Sequence, residues 1–299
     1  MDIFHYTFMQ NAFVTGLLIG AVCPVVGLFV TLRRLSMISD ALSHVCLSGV
    51  VAGLLLGTHP VLTASAFSLT GAFLIEALRA RYRTYSELSI AIILSAGVAG
   101  GALLLGLGSG LSANFMSYLF GSIITVTRFD VYLVSVVAAV ILILIKLFHK
   151  ELFLISFDEE GARVAGLPVT AISVGFTAVT ALTVAISIRI VGILMVSSLM
   201  VLPVAAALKL AKGFRGALAI SVIMAEVAVI AGLFASFYLD LVPGGTIIMI
   251  SILLLILAVI FSSTRSSIIS RRQDPVDSGG IKEPVSSAEV QFFCGRSDS

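Results

Sequence analysis

The sequence predicts an all-α fold, a polytopic bundle of about nine transmembrane helices, and three observations predict it. Of the 299 residues, 59% are apolar and only 11% are charged, against about 25% charged in ordinary soluble domains; the mean hydropathy is +1.15. Apolar stretches of the roughly 20 residues that a spanning helix needs recur near 8–31, 35–57, 61–79, 87–107, 129–147, 168–187, 190–208, 216–239 and 244–263. Segments this long are not the short alternating strands of a membrane barrel. The third observation is where the cations fall. With the N-terminus outside, the inner loops hold Arg33, Arg34, Arg79, Arg81, Arg83, Lys146, Lys150, Arg163, Lys209, Lys212 and Arg215, and the inner tail holds Arg265, Arg271, Arg272, Lys282 and Arg296. Only Arg128 and Arg189 remain outside, as the positive-inside rule requires. An even number of spans would break that pattern, so the C-terminus is expected in the cytoplasm.

The first span has no cation before Arg33 and so lacks the charged n-region of a cleavable secretory signal; it is expected to be retained. The second span is unlike the others. It carries Asp40 and His44 in apolar surroundings, where an ionisable group costs at least a few kcal/mol and is kept mainly for a partner or a substrate path. Ser36, Asp40, His44 and Ser48 recur at i+4 and form one polar stripe. Gly49, Gly53 and Gly57 form a second stripe on which another helix can lie closely. His44 is ten residues past Arg34, about 15 Å of helix and half of a roughly 30 Å core. Asp40 lies about a turn nearer the cytoplasm.

The third span ends among Glu76, Arg79 and Arg83, which with Glu87 read as ordinary interfacial ion pairs. The fourth is crowded with small residues, and Gly97 with Gly101 makes a close-packing Gly-x-x-x-Gly step. Residues 109–128 are too short and mixed for a further span and are expected to form an outer loop or a half-embedded helix. After the fifth span, the inner loop from Ser156 to Pro168 has the marks of a short capped helix. Ser156 and Glu159 have capping-box spacing, Asp158, Glu159 and Glu160 meet the positive helix end, and Gly166 with Pro168 supplies the stop. Such a helix is a docking surface or a solvated connector. In the eighth span Glu226, eleven residues past Arg215, reaches about the depth of His44. The spans make one transmembrane domain over 1–264, and the Ser-, Asp-, Gly- and Pro-rich stretch 265–299 is expected to be a disordered cytoplasmic tail.

Several functions are excluded. A net charge of +2 gives no reason to expect nucleic acid. Cys23, Cys46 and Cys294 are too scattered for a disulfide framework or a zinc site. No His-Glu-x-x-His, Gly-x-Ser-x-Gly or Gly-Lys sequence occurs, so no enzymatic activity is expected and ATP hydrolysis would need another subunit. Asp40 and His44 offer a hard oxygen and a borderline nitrogen, a mixture suited to Zn²⁺, Mn²⁺ or Fe²⁺. Two ligands hold an ion weakly, which suits an ion in transit; a two-fold axis would double them to four. The other reading is an Asp–His hydrogen bond that braces the helix. Glu226 could extend the ion path, accept a proton or pair with a neighbouring hydroxyl. Met195, Met200 and Cys46 are read as apolar packing, and His59 beside Pro60 is a further candidate for first contact with the ion.

Four stretches together resemble the membrane permease subunit of bacterial zinc/manganese/iron ABC importers. They are Ser39-Asp40-Ala41-Leu42-Ser43-His44, Leu119-Phe120-Gly121-Ser122, Phe157 to Leu167, and Val191 to Pro203, in that order within roughly residues 5–265. Met195 and Met200 depart from the leucines usual in that family. The resemblance implies a permease similar to the vitamin B12 and siderophore importer permeases, in a bacterial inner membrane. It implies a homodimer or a pair with a similar permease, fed with a divalent metal ion by an extracytoplasmic binding protein and driven by an ATP-binding cassette subunit. It makes the helix of Asp158, Glu159, Glu160, Gly161, Ala162, Arg163 and Gly166 the coupling helix that enters a groove of that ATPase. No permanently bound cofactor is implied. A gradient-driven metal/proton transporter and a passive channel are the other classes, and neither needs a docking helix.

Overall fold

The computed structural model describes residues 5–82, 85–108 and 112–273, and among them every regular element is a helix. Arg83, Lys282, Arg296, Cys294 and the tail from 274 onward lie outside the described residues. The chain divides into a unit of residues 1–262 and a second of 263–299; the following concerns the first. Among the described residues nine helices have the length and apolarity of membrane spans. In order they are α1 (Thr7–Leu32), α2 (Met37–Leu56), α3 (Pro60–Arg81), α4 (Ser86–Leu107), α6 (Arg128–Leu147), α9 (Val169–Val191), α10 (Ile193–Leu210), α11 (Phe214–Leu239) and α12 (Pro243–Gln273). Three short helices lie between them: α5 (Ser112–Phe120), α7 (His149–Phe157) and α8 (Glu159–Val164). The number of spans matches the apolar pattern. The last helix differs, because it continues to Gln273 rather than stopping near 264.

α1, α2 and α9 are the most enclosed spans, while α4, α6 and α12 keep most of their surface outward. Their outward faces carry Leu103, Ile143 and Phe261 among many other apolar side chains, as lipid contact demands and water would not tolerate. Close approaches between helices are made at glycines. Gly49 lies so near α3 that a Cβ there would stand 2.8 Å from Ala64 Cα, and Gly53 has the same relation to Pro60 and Thr63. Against α4, a Cβ on Gly97 would stand 2.7 Å from the Val45 nitrogen of α2. Without a water-driven hydrophobic force between spans, such backbone contact supplies much of the packing energy.

At the outer end three glycines from separate elements meet. Gly121 (φ 77°), which ends α5, would collide with the Ile190 carbonyl if it bore a Cβ; Gly192 (φ 84°, ψ 152°) would strike Phe120, and Gly244 the carbonyls of Val191 and Phe120. Ser122 N donates to Arg189 O across the same junction. Arg189 also answers for Asp130, whose side chain is buried at the start of α6. Its Nε stands 3.3 Å from Asp130 Oδ1 and its guanidinium lies 5.0 Å from the centre of the Tyr118 ring. The other carboxylate oxygen of Asp130 caps α6 reciprocally with Thr127. Of the stretch expected as an outer loop or half-embedded helix, residues 112–128 are a short helix and a turn locked onto the α9–α10 junction, and 109–111 lie outside the described residues.

Gly192→Ala is expected to destabilise the protein by about 1–3 kcal/mol from backbone strain alone, since its dihedrals belong to a region that only glycine populates readily. Gly106→Ala on the open face of α4, where a Cβ meets nothing, should be neutral or stabilising by up to about 1 kcal/mol; melting temperatures in detergent compare the two. Arg189→Met leaves a buried carboxylate unpaired and is expected to cost about 3–5 kcal/mol, read in the same assay.

Candidate functional site

α2 starts immediately after the tight turn at Arg33 and Arg34, and its glycine contacts with α3 and α4 fix which way the rest of its surface faces. Asp40 and His44 lie one turn apart on α2, both half-buried, and Asp40 faces the seam with α10. Asp40 Oδ1 accepts a hydrogen bond from Ser197 Oγ of α10 at 3.5 Å, the long limit for such a bond. His44 Nδ1 is enclosed and makes no hydrogen bond, so this nitrogen is not the donor of an Asp–His brace. The stripe expected on α2 is shorter than its i+4 spacing suggested. Ser48 turns to α4, where its buried hydroxyl donates to the Gly97 carbonyl at 2.6 Å, and Ser36 sits at the N-cap position without a side-chain bond.

Glu226 belongs to another seam. Its carboxylate rests on Gly20 of α1, 3.3 Å from the position a Cβ would take, and its Oε2 is enclosed without a hydrogen bond. Among the described residues no three His, Cys, Asp or Glu side chains converge on a common point. Asp40 and His44 by themselves are too few to make a structural metal site. Cys46 and Met200 are fully enclosed in the apolar core, with Met195 packed against it. His59 lies edge-on to the Phe129 ring, 5.0 Å between centres, and its Nδ1 makes no hydrogen bond. Glu76 pairs with Arg79 at 2.7 Å, as interfacial pairing predicts. Sequence reasoning missed Ser197 as a neighbour of Asp40; the adjacent hydroxyls of Ser197 and Ser198 inside an apolar span were the available signal.

The inner-loop helix exists, and its cap differs from the expected one. α7 runs through Ser156, whose hydroxyl is spent within that helix on the Leu152 carbonyl at 2.6 Å. The chain then breaks at Asp158, whose Oδ1 accepts from Gly161 N at 2.8 Å and caps α8. Glu159 pairs instead with Arg163, 3.2 Å away on the exposed surface. At the other end Leu167 N donates to Ala162 O and Gly166 N to Arg163 O, with Gly166 at φ 83°. These bonds make a Schellman stop. Ala162 is the buried foot of α8, set against Ile155 and Val169. Val164 stands 90% exposed, as do Asp158, Glu159 and Glu160 in large part. α8 is thus a rigid, well-capped helix that presents acids and an unpartnered valine outward.

Residues 5–262 match the model of the ABC 3 transport family. A probable metal transport system membrane protein of Treponema pallidum is 37% identical over 255 residues, 85% of this chain and 96% of that protein. A manganese transport system membrane protein, MntC, of Listeria monocytogenes is 26% identical over 273 residues, 91% of this chain and 97% of its own. The solved structure of PsaBC from Streptococcus pneumoniae in complex with Fab superposes with a TM-score of 0.76 at 28% identity, covering 86% of this chain and 92% of that one. Since the match runs through all nine candidate spans and the α8 loop, the chain belongs to the ABC 3 transport family and is a multi-pass membrane permease of it.

Proposed function

We propose that this permease imports a divalent transition-metal ion, received from an extracytoplasmic binding protein and driven across by a separate ATP-binding cassette subunit. The observation that carries this reading is α8, a six-residue helix capped by Asp158, closed by Gly166 and exposed at Glu159, Glu160, Arg163 and Val164. A transporter that runs on a gradient has no use for such an element, whereas an ATPase needs a rigid projection to push against. Asp158, Glu159, Glu160, Gly161, Ala162, Arg163 and Gly166 form that projection in this reading.

Asp40 and His44 are the ion's stepping point. Each copy supplies one oxygen and one nitrogen, and two copies, or this chain and a similar permease, facing across an axis complete four ligands from two chains. The mixture suits Zn²⁺, Mn²⁺ and Fe²⁺; the name of the Listeria relative makes manganese the first ion to try. The chain itself is non-catalytic in this scheme. Glu226, on the α1–α11 seam, belongs to the path only if an ion or proton also uses that seam.

Vesicles containing the permease, its ATPase and its binding protein test the reading, with Mn²⁺, Zn²⁺ and Fe²⁺ in competition. Asp40→Ala and His44→Ala together are expected to reduce ATP-driven uptake by at least about tenfold, the lower end of what losing even an outer-layer partner costs a metal site. Protein levels should be unchanged. Glu226→Gln is expected to retain most uptake. Uptake without ATP, driven by a proton gradient, would favour the secondary transporter instead. Asp158→Ala removes a cap whose loss costs about 0.5–2 kcal/mol, and it is expected to weaken co-purification of the ATPase while leaving the melting temperature of the nine-span bundle close to normal.

A further inference from the structure

The cytoplasmic ends of α2, α3 and α9 are tied together by polar contacts that the proposed ion path does not use. Ser173, Phe176 and Thr177 lie on one face of α9, in its first turns after the α8 loop. Arg33, in the turn between α1 and α2, donates from Nη2 to Ser173 Oγ at 2.7 Å, and its guanidinium carbon stands 5.6 Å from the centre of the Phe176 ring. On the other flank Glu76 Oε1 accepts from Thr177 Oγ1 at 2.6 Å and from Arg79 Nη1 at 2.7 Å. A polar cleft of about 500 Å³ beside these residues is lined by Glu76, Arg79 and Ser173 and, from α8, by Glu159, Glu160 and Arg163. Arg33 is largely enclosed, and burial, then the charge of Arg79, lowers its pKa from the usual arginine value; the charges of Glu76 and Glu159 oppose that shift.

We infer that Arg33 is the positioning residue through which a displacement of the docking helix α8 is passed to α2, the helix that bears Asp40 and His44. This rests on the function proposed above. Both ends of the route are stiff. α8 and the start of α9 move as one piece, because the Schellman stop at Gly166 and the buried contact of Ala162 with Val169 leave no slack between them. The turn that carries Arg33 is equally closed. Leu35 N donates to Val30 O and Arg34 N to Thr31 O, with Arg34 at φ 56°, so a pull on Arg33 moves the start of α2 instead of being absorbed in a loop. The Ser173 and Phe176 contacts make the grip directional, since the planar guanidinium both donates and stacks.

The test measures metal imported per ATP hydrolysed by the reconstituted complex of permease, ATPase and binding protein. Arg33→Gln is expected to raise the ATP consumed per Mn²⁺ ion about tenfold, within the usual range of coupling between sites, while Arg33→Lys recovers part of the loss. Ser173→Ala, a small change on α9, should uncouple in the same direction. The double variant should be no worse than Arg33→Gln alone, because the two side chains act through one contact. A normal ATP-to-ion ratio in Arg33→Gln, or strictly additive effects in the double variant, overturns the inference. If Arg33→Gln fails to accumulate, Ser173→Ala decides: a normal ratio overturns the inference and a raised one supports it. A wild-type complex that imports no metal refutes the proposed function itself, and the role of Arg33 falls with it.

Discussion

Nothing but backbone and one hydrogen separates α4 from α2 at Gly97, and the same is true of α2 against α3 at Gly49. That close approach sets the rotation of α2 about its own axis. With α3 and α4 pressed against it at these glycines, α2 turns Asp40 toward Ser197 of α10. Ser48 reinforces the setting, because its hydroxyl is satisfied by the Gly97 carbonyl and an unsatisfied hydroxyl in a lipid setting is costly. Rotating α2 by one residue would press side chains into α3 and α4 and break that bond. The rotation that brings Asp40 to Ser197 of α10 is therefore set by backbone packing rather than by the Asp40 side chain.

The outer and inner ends are built differently, in keeping with different tasks. The outer junction joins three chain segments at Gly121, Gly192 and Gly244, backed by the enclosed Arg189–Asp130 contact. An ion contact of this kind contributes little net stability when formed but resists removal of either partner, so it favours one fixed arrangement. The inner end has a small helix held by a single buried methyl group, and its ionic contact, Glu159 with Arg163, is exposed and weak. For the docking role proposed above, the exposed acids are free to meet a partner while the Schellman stop and the contact of Ala162 with Val169 keep the helix joined to α9.

Length and apolarity were enough to read the nine spans, because a bilayer imposes both on any helix that crosses it. Gly49, Gly53 and Gly97 were also legible as close-packing positions, whereas Gly57 is a left-handed cap with open space around it; Asp40 and His44 stand out as candidates because they are charge in an apolar run. Partners across helices were not. Nothing in the spacing of Ser197 ties it to Asp40, or Arg189 to Asp130, for these pairs are set by how distant spans are laid side by side. The cap of α8 was misread for a local reason. Ser156 has the right spacing to Glu159, but α7 extends through it and uses its hydroxyl, leaving Asp158 as the first residue with the extended backbone a cap requires. The continuation of α12 to Gln273 was hidden by polar composition, which marks departure from the bilayer and not the end of a helix.

The sparseness of ligands in one chain bears on how an ion could be moved at all. A closed four-ligand cage, complete within one permease, would hold a transition metal with the affinity of a structural site, and release would then limit turnover. Asp40 and His44, with an unpartnered imidazole nitrogen and a long, weak contact to Ser197, have no such grip. Were His44 to meet an ion as proposed, its Nδ1 would lack the outer acceptor that stiffens permanent metal ligands. Tight binding and quick passage are opposed demands on the same side chains. In the proposed function, placing only two ligands on each chain would let the distance between chains, rather than the chemistry of either, set how firmly the ion is held.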